Sequence, residues 1–166
     1  MNIHQKRDET NGLIFPYYTW SFLDVLKTWD ISDWDVFEYG VGYSTAWWRS
    51  KAKSVDGVDN QLDWANQFQA SYQTEKEKYI QSPSKMYDCI IIDGEPVTWR
   101  DECTKYALEH LKPNGTLIID NYHQASCDCN NWEQTDELLK NYKPFIYHQV
   151  GHPDWKTAYW IVNPSI

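Results

Sequence analysis

No lysine or arginine run occurs in the 166 residues. The one charge-dense stretch, "EKEK" at Glu75–Lys78, alternates in sign and reads as a solvated face. With 24 acidic residues against 15 basic ones the formal net charge is -9. That argues against non-specific attraction to nucleic acid or an anionic membrane. No apolar run approaches the roughly 18 residues of a membrane span. The first residues, "MNIHQKRDETNG", are polar and hold no signal-peptide core. Nor is there a Cys-x-x-Cys pair. Cys89 falls in an apolar strand pattern and Cys103 in a helical one, so both are expected as core thiols. Cys127 and Cys129 form a "CDC" close to His123, but no second ligand pair follows at the spacing a zinc site uses. Thiols without a pairing pattern fit a reducing cytoplasm. Internal repeats, low-complexity tracts and linkers are also missing, so residues 1–166 read as a single domain.

What the chain does have is aromatic surface, 16% of residues with ten tryptophans. Scattered tryptophan packs cores and rims. Stacking on a sugar or a base is the sharper reading, and composition does not choose between the two.

Apolar runs alternate with segments of helical period. "PYYTWSFLDVLKTW" predicts a leading helix within about residues 13–30, with Tyr17, Tyr18 and Trp20 as a lid or as core. "DVFEYG" is a first strand, and "STAWWRSKA" starts a helix at a Ser/Thr cap. "SVDGVD" is a second strand, "NQLDWANQFQASY" a helix and "KYIQ" a weak third strand. "YDCIIIDG" is a continuous apolar run, the mark of a strand covered on both faces. "DECTKYALEHL" is a helix stopped by the turn "KPNG", then "TLIID" is a strand and "NWEQTDELLKNY" a helix. "FIYHQVG" and "TAYWIVN" flank "HPDWK" as an antiparallel hairpin. This alternation predicts an open, mostly parallel α/β sheet that binds ligands at the carboxyl ends of its strands. The residues to weigh are therefore Glu38–Ser44, Asp59, Asp93–Gly94 and Asp120–Asn121.

Gly40 and Gly42 break the first strand into a helix start. A dinucleotide fingerprint needs a third glycine, and Thr45 stands in its place. A carboxylate within the strand, Glu38, is a poor neighbour for a pyrophosphate and suits an ammonium or sulfonium group.

"FEYGVGYST" resembles motif I of the class I S-adenosylmethionine-dependent methyltransferases. "VDN" at Val58–Asn60 is similar to the segment whose acid takes the ribose hydroxyls, "YDCIIIDG" resembles motif IV, and "LKPNGTLIIDN" the helix–turn–strand after it. The likeness runs from Val36 to Asn163. It looks closest to small bacterial and phage methyltransferase-like proteins with an FEYGxGxSTxWW motif. It implies a Rossmann-like, seven-stranded, mostly parallel sheet with an antiparallel C-terminal hairpin and helices on both faces. It also implies S-adenosylmethionine as cofactor, with Glu38, Gly40, Gly42, Ser44, Asp59 and Asp93 as its binding set. Glu38 would take the amino end, Asp59 the ribose diol, and Asp93 would lie under the reactive end. The adenine amine would fall to Gln81, Ser82 or Ser84, or to the backbone, because "YIQSPSKMYD" leaves almost no loop after the expected third strand.

Asp93, Asp120 and Asn121 also resemble the magnesium site of catechol-type O-methyltransferases, a set of hard oxygen donors. A metal-free site is preferred, because motif I lacks the longer loop of that type and Asp-Asn also caps turns. His123 joins Asp93 as a candidate for catalysis. His148, inside a strand, is expected to be packed, and His152 to lie in the hairpin loop. Arg100 either clamps an anion at the mouth or pairs with Asp101 or Glu102. The function implied is methylation of a small molecule at oxygen or nitrogen. With no inserted substrate domain, the acceptor site is shallow or shared with a second copy in a homo-oligomer. The alternative is a non-catalytic S-adenosylmethionine-binding or assembly module. A short dehydrogenase is disfavoured by the missing third glycine and the missing Tyr-x-x-x-Lys.

Overall fold

In the computed structural model, residues 16–125 and 131–163 are described. Cys127, Cys129 and the start of the expected leading helix, residues 13–15, lie outside them. The elements run α1 (Trp20–Leu26), β1 (Asp35–Tyr39), α2 (Tyr43–Arg49), β2 (Ser54–Asp59), α3 (Leu62–Gln67), β3 (Ser71–Tyr72), α4 (Lys76–Ile80), β4 (Tyr87–Ile92), a 3₁₀ turn (Val97–Trp99), α5 (Arg100–Glu109), β5 (Leu111–Asp120), α6 (Glu133–Leu139), β6 (Phe145–Gln149) and β7 (His152–Val162). The seven strands form one sheet in the order β3-β2-β1-β4-β5-β7-β6. β1, β2, β3, β4 and β5 pair in parallel, whereas β7 is antiparallel to both β5 and β6. This is the open, mostly parallel sheet with a C-terminal hairpin that the strand pattern predicts, in the seven-stranded Rossmann-like form that the resemblance implies.

Alternation within each strand divides the core between the two faces. Phe37, Tyr39, Ile90, Ile92, Leu117, Ile119, Ala158 and Trp160 point one way, beneath Tyr79 of α4, Cys103 and Ala107 of α5 and Leu139 of α6. Val36, Cys89, Ile91, Ile118 and Tyr159 point the other way, beneath Phe22, Leu23 and Leu26 of α1 and Trp47 and Trp48 of α2. Both faces are thus covered, which is why β4 and the end of β5 read as unbroken apolar runs. Cys89 and Cys103 are buried free thiols, as their strand and helix positions predict. Among the described residues no helix is long and apolar enough to cross a membrane.

Three local expectations are corrected. The third strand is Ser71–Tyr72, and "KYIQ" belongs instead to α4. A two-residue strand has no periodicity to detect, and the chain reaches it through Gln69, whose positive φ of 47° ends α3 early. The Glu/Lys alternation before Tyr79 is the exposed side of a helical turn, with Lys78 paired to Glu75 at 2.8 Å and Tyr79 buried. "KPNG" lies inside β5 as an irregularity, where pairing jumps from Tyr87–Leu111 to Cys89–Thr116 and Asn114 takes a φ of 62°. "HPDWK" is the first part of β7 and not a loop. The hairpin turns at Val150–Gly151, where Gly151 has φ +80° and Gln149 pairs with His152.

The strand order reverses between β1 and β4. Their carboxyl ends lie side by side, with Tyr39 in register with Ile92. The crevice of an open sheet forms outside such a switch point, and there the loops after β1, β2 and β4 meet.

Candidate active site

A cavity of about 230 Å³ opens at that point, lined by Gly40–Ser44, Asp59, Asp93–Glu95, Gln61, Trp64 and Tyr17. Of the expected cofactor set, Gly40, Gly42, Ser44, Asp59 and Asp93 line it directly, and Glu38 stands behind Ser44 and Thr45.

The two glycines differ in what they permit. Gly40 has φ +84°, and a Cβ there would lie 2.3 Å from the Cα of Gly94. Its missing side chain therefore makes room for the β4 loop, not for a ligand. A Cβ on Gly42 would meet only the Trp64 ring, at 4.0 Å, across the cavity. The turn also does not offer its amides as an anion cradle. The Gly40 N–H donates to Val58 O at 2.8 Å, Val41 N–H to Asp59 Oδ2 at 3.0 Å, and Gly42 N–H to Thr45 Oγ1 at 2.9 Å. Thr45, standing where a dinucleotide fold has its third glycine, is thus the side chain that closes the loop.

Glu38 is fully buried, with no hydrogen bond of full geometry to either oxygen but with the Ser44 and Thr45 hydroxyls close beside them. Burial, with a smaller push from the negative charge of Asp93, lifts its carboxyl to about 8; the nearby Ser44 and Thr45 hydroxyls and Arg49 pull the other way. Asp59 accepts N–H bonds from Val41 and from Gln61, the latter at 2.8 Å, so it ties β2 to the glycine turn. Its carboxyl is still raised by burial and by Glu95. Asp93 is raised by burial, against the Arg100 charge. Two unit charges 4 Å apart interact by about 4 kcal/mol at an effective dielectric near 20. A cavity with Asp59, Asp93 and Glu95 in its wall therefore repels a pyrophosphate and attracts a cation. The aromatic side of the wall, Tyr17, Tyr43 and Trp64, is joined by edge contacts of 5.7 Å and 5.9 Å and adds attraction for positive charge. Among the described residues no group of three or more His, Cys, Asp or Glu is placed to hold a metal ion.

Arg100 is neither a mouth clamp nor the partner of Asp101 or Glu102. It is 4% exposed and knits the ends of β4 and β5 together. Its Nε donates to Gly94 O at 2.7 Å, Nη2 to Asp93 O at 2.9 Å, and Nη1 to Asp120 O at 3.0 Å and to Asn121 Oδ1 at 3.1 Å. Nη2 also faces Asp93 Oδ1 at 3.4 Å. Asp101 instead receives the Gln134 and Thr135 amides at the start of α6, and Glu102 pairs with Lys76. Asp120 is buried and accepts the Thr157 hydroxyl; burial and the nearby Asp93 push its carboxyl to about 7.

His123 does not join Asp93. It is not among the cavity-lining residues, and its Nε2 sits 3.0 Å from both oxygens of Asp136 on the exposed side of α6. If the cavity binds S-adenosylhomocysteine, replacing His123 with alanine is therefore expected to leave that affinity within about twofold of wild type, checked by calorimetry. His148 is exposed and not packed, because it faces away from α1 on the edge strand; its Nδ1 lies 2.9 Å from Pro153 O. His152, expected in a loop, is in β7 and stacks on Trp155. Of the lid candidates, Tyr17 lines the cavity and is 41% exposed, Tyr18 is core, and Trp20 is tied by its amide to Gln149. Gln81, Ser82 and Ser84 precede the amino end of β4, the edge of the sheet opposite the cavity. The residues that follow β3 on the cavity's edge are Gln73 and Thr74, and the Gln73 amide bonds Asp59 O at 3.0 Å. Gln61 and Trp64 were not anticipated. The available signal was their place in the first turn of the helix after Asp59.

No family model matches the chain, and no curated protein does. Solved structures do. An O-methyltransferase from Bacillus cereus, in complex with SAH, is 17% identical and superposes with a TM-score of 0.63 over 85% of this chain and 79% of its own. The N-methyltransferase NodS from Bradyrhizobium japonicum, also with SAH, gives 14% identity and 0.56 over 87% and 86%. A methyltransferase-like protein from Silicibacter pomeroyi gives 16% and 0.64 over 93% and 90%. At these identities the likeness is one of fold: this chain has the Rossmann-like fold of S-adenosylmethionine-dependent methyltransferases along most of its length.

Proposed function

We propose that the chain is an S-adenosylmethionine-dependent methyltransferase acting at oxygen or nitrogen of a small molecule. The observation that carries this is the acidic, aromatic-walled cavity at the switch point, with the buried carboxyl of Glu38 behind it. A buried carboxyl keeps its proton until a cation answers its charge, and the ammonium and sulfonium of S-adenosylmethionine are such cations. When bound, this cofactor supplies an electrophilic methyl group.

The chain's own residues would do the rest. Glu38 holds the amino end, directly or through water. Gly42 and Ser44 leave space for the methionine part, and Asp59 accepts the ribose hydroxyls beside the two amides it already takes. Asp93, with Oδ1 turned to Arg100, keeps Oδ2 for the acceptor's proton. The net charge of -9 and the acidic wall favour a small acceptor over nucleic acid. The absence of His123 from the cavity lining favours a second reading, a cofactor-binding module without catalysis.

Thermal shift with S-adenosylmethionine, S-adenosylhomocysteine and NAD separates these from a dehydrogenase. A ligand at a hundred times its dissociation constant adds about 2.7 kcal/mol. Stabilisation by NAD alone, or by none of the three, would remove the proposal. Methyl transfer to a small-molecule panel then separates enzyme from module. Asp59→Ala is expected to weaken both S-adenosyl ligands alike, since they share the ribose; charge-assisted bonds of this kind are worth roughly 1.5–3 kcal/mol each. Equal calorimetric affinities for wild type and variant would move the ribose contact elsewhere.

A further inference from the structure

Asp93, Asp120 and Asn121 have the composition of a hard-cation site, yet they do not fit one. Magnesium asks for oxygen donors at about 2.0–2.1 Å in a near-octahedral arrangement that keeps several waters. Here the donors already surround a cation of another kind. The Asn121 side-chain oxygen receives Arg100 Nη1 at 3.1 Å, and its amide nitrogen donates to Gln124 Oε1 at 2.8 Å. Turning Asn121 towards a metal breaks both bonds. Asp120 Oδ1 accepts the Thr157 hydroxyl, whose oxygen in turn receives the Thr19 amide at 3.0 Å. Asp93 Oδ1 faces Arg100 Nη2. All three guanidinium nitrogens are engaged, and the backbone oxygens of Asp93, Gly94 and Asp120 depend on them. Expelling Arg100 would leave three carbonyls short of a donor.

We infer that Arg100 takes the place of a divalent cation at the ends of β4 and β5, so that methyl transfer by this chain needs no metal and its acceptor is a single amine, hydroxyl or carboxylate rather than a chelating diol. The claim rests on the methyltransferase reading above. Because every nitrogen of the guanidinium is bound to protein, Arg100 cannot polarise the acceptor as a metal does. The acceptor must carry its own nucleophilicity or lose its proton to Asp93.

Manganese, followed by electron paramagnetic resonance, is the probe. The full-length chain, with and without S-adenosylhomocysteine, is expected to take up no more Mn²⁺ than its Asn121→Ala variant. A submillimolar site present in the wild type and lost in Asn121→Ala overturns the inference. S-adenosylhomocysteine affinity should agree within about twofold between magnesium and chelator buffers, and a gain of about tenfold or more with magnesium overturns it as well. A chain that binds no S-adenosylhomocysteine in either buffer would refute the methyltransferase reading, while the manganese comparison still judges Arg100. Once an acceptor is found, chelator should leave the rate unchanged. A rate lost to chelator and restored by magnesium is the opposite result.

Discussion

Glu38→Gln is expected to abolish most of the affinity for S-adenosylmethionine and at the same time to stabilise the ligand-free protein above about pH 5. Both effects come from one carboxyl, buried behind the cavity and raised to about 8. In the unfolded chain a glutamate ionises near 4.3. Between the two values the folded state keeps a proton that the unfolded state has lost. Stability therefore falls as pH rises through that window, by about 1.4 kcal/mol per pH unit for one such proton, and levels off above it. Asp120, raised to about 7, adds to the fall with the same sign. Asp35, held low by Ser54 and Lys112, acts only at more acid pH. Glutamine keeps the shape and removes the proton, so the fall should lose the share that belongs to Glu38. Denaturant unfolding of both proteins from pH 5 to 9 gives the slopes directly.

Binding should show the reverse coupling. An ammonium beside Glu38 favours the ionised carboxylate, so binding at pH 7 should release close to one proton. Calorimetry in buffers of different ionisation enthalpy reads this number. Affinity should climb from pH 6 towards 8, then decline as the ligand's amine, with a pKa of about 7.7–8.0, loses its own charge. An unchanged pH slope in the variant, or unchanged affinity, would leave Glu38 without the role given to it.

The second large effect separates Gly40 from Gly42. Gly40→Ala places a methyl 2.3 Å from the Gly94 backbone at a φ of +84°. Backbone meets backbone there, and no flexible side chain can give way. A loss of roughly 3–5 kcal/mol in unfolding free energy is expected, in the exceptional range for one substitution. Gly42→Leu should fold with stability within about 1 kcal/mol of wild type, because its φ of -177° is ordinary extended backbone and its nearest neighbour is the Trp64 ring at 4.0 Å. Its side chain would instead fill the cavity and lower S-adenosylhomocysteine affinity by about a hundredfold or more. Urea unfolding paired with calorimetry tests the contrast. A stable Gly40→Ala, or a Gly42→Leu that binds like wild type, would show that these roles are assigned wrongly.

Much of this was readable from the chain alone. The apolar runs at Val36–Tyr39, Cys89–Ile92 and Leu117–Ile119 mark doubly covered strands, because a strand buried on both faces cannot alternate. The acids and glycines at their ends mark the binding edge, because an open parallel sheet has its crevice there. Gly42, Asp59 and Asp93 follow from that logic and line one cavity, with Glu38 behind it. Other features had no local signal. Ser71–Tyr72 is a strand only because β2 pairs with it. His123 and Asp93 both follow strand ends, but a φ of 50° at His123 and the carboxylate of Asp136 turn the imidazole away. Gly40, expected in the cofactor-binding set, instead makes room for the backbone of Gly94, far along the chain. Arg100, expected as an anion clamp at the mouth or a partner of Asp101 or Glu102, is the buried tie between two strand ends. Periodicity and end chemistry are properties of short segments, so the sequence by itself determines the strands and the edge at which they bind. Which groups then face one another at that edge depends on strand order and side-chain direction, and only the packed sheet decides these, because burial forces each polar group to find its partner across the fold.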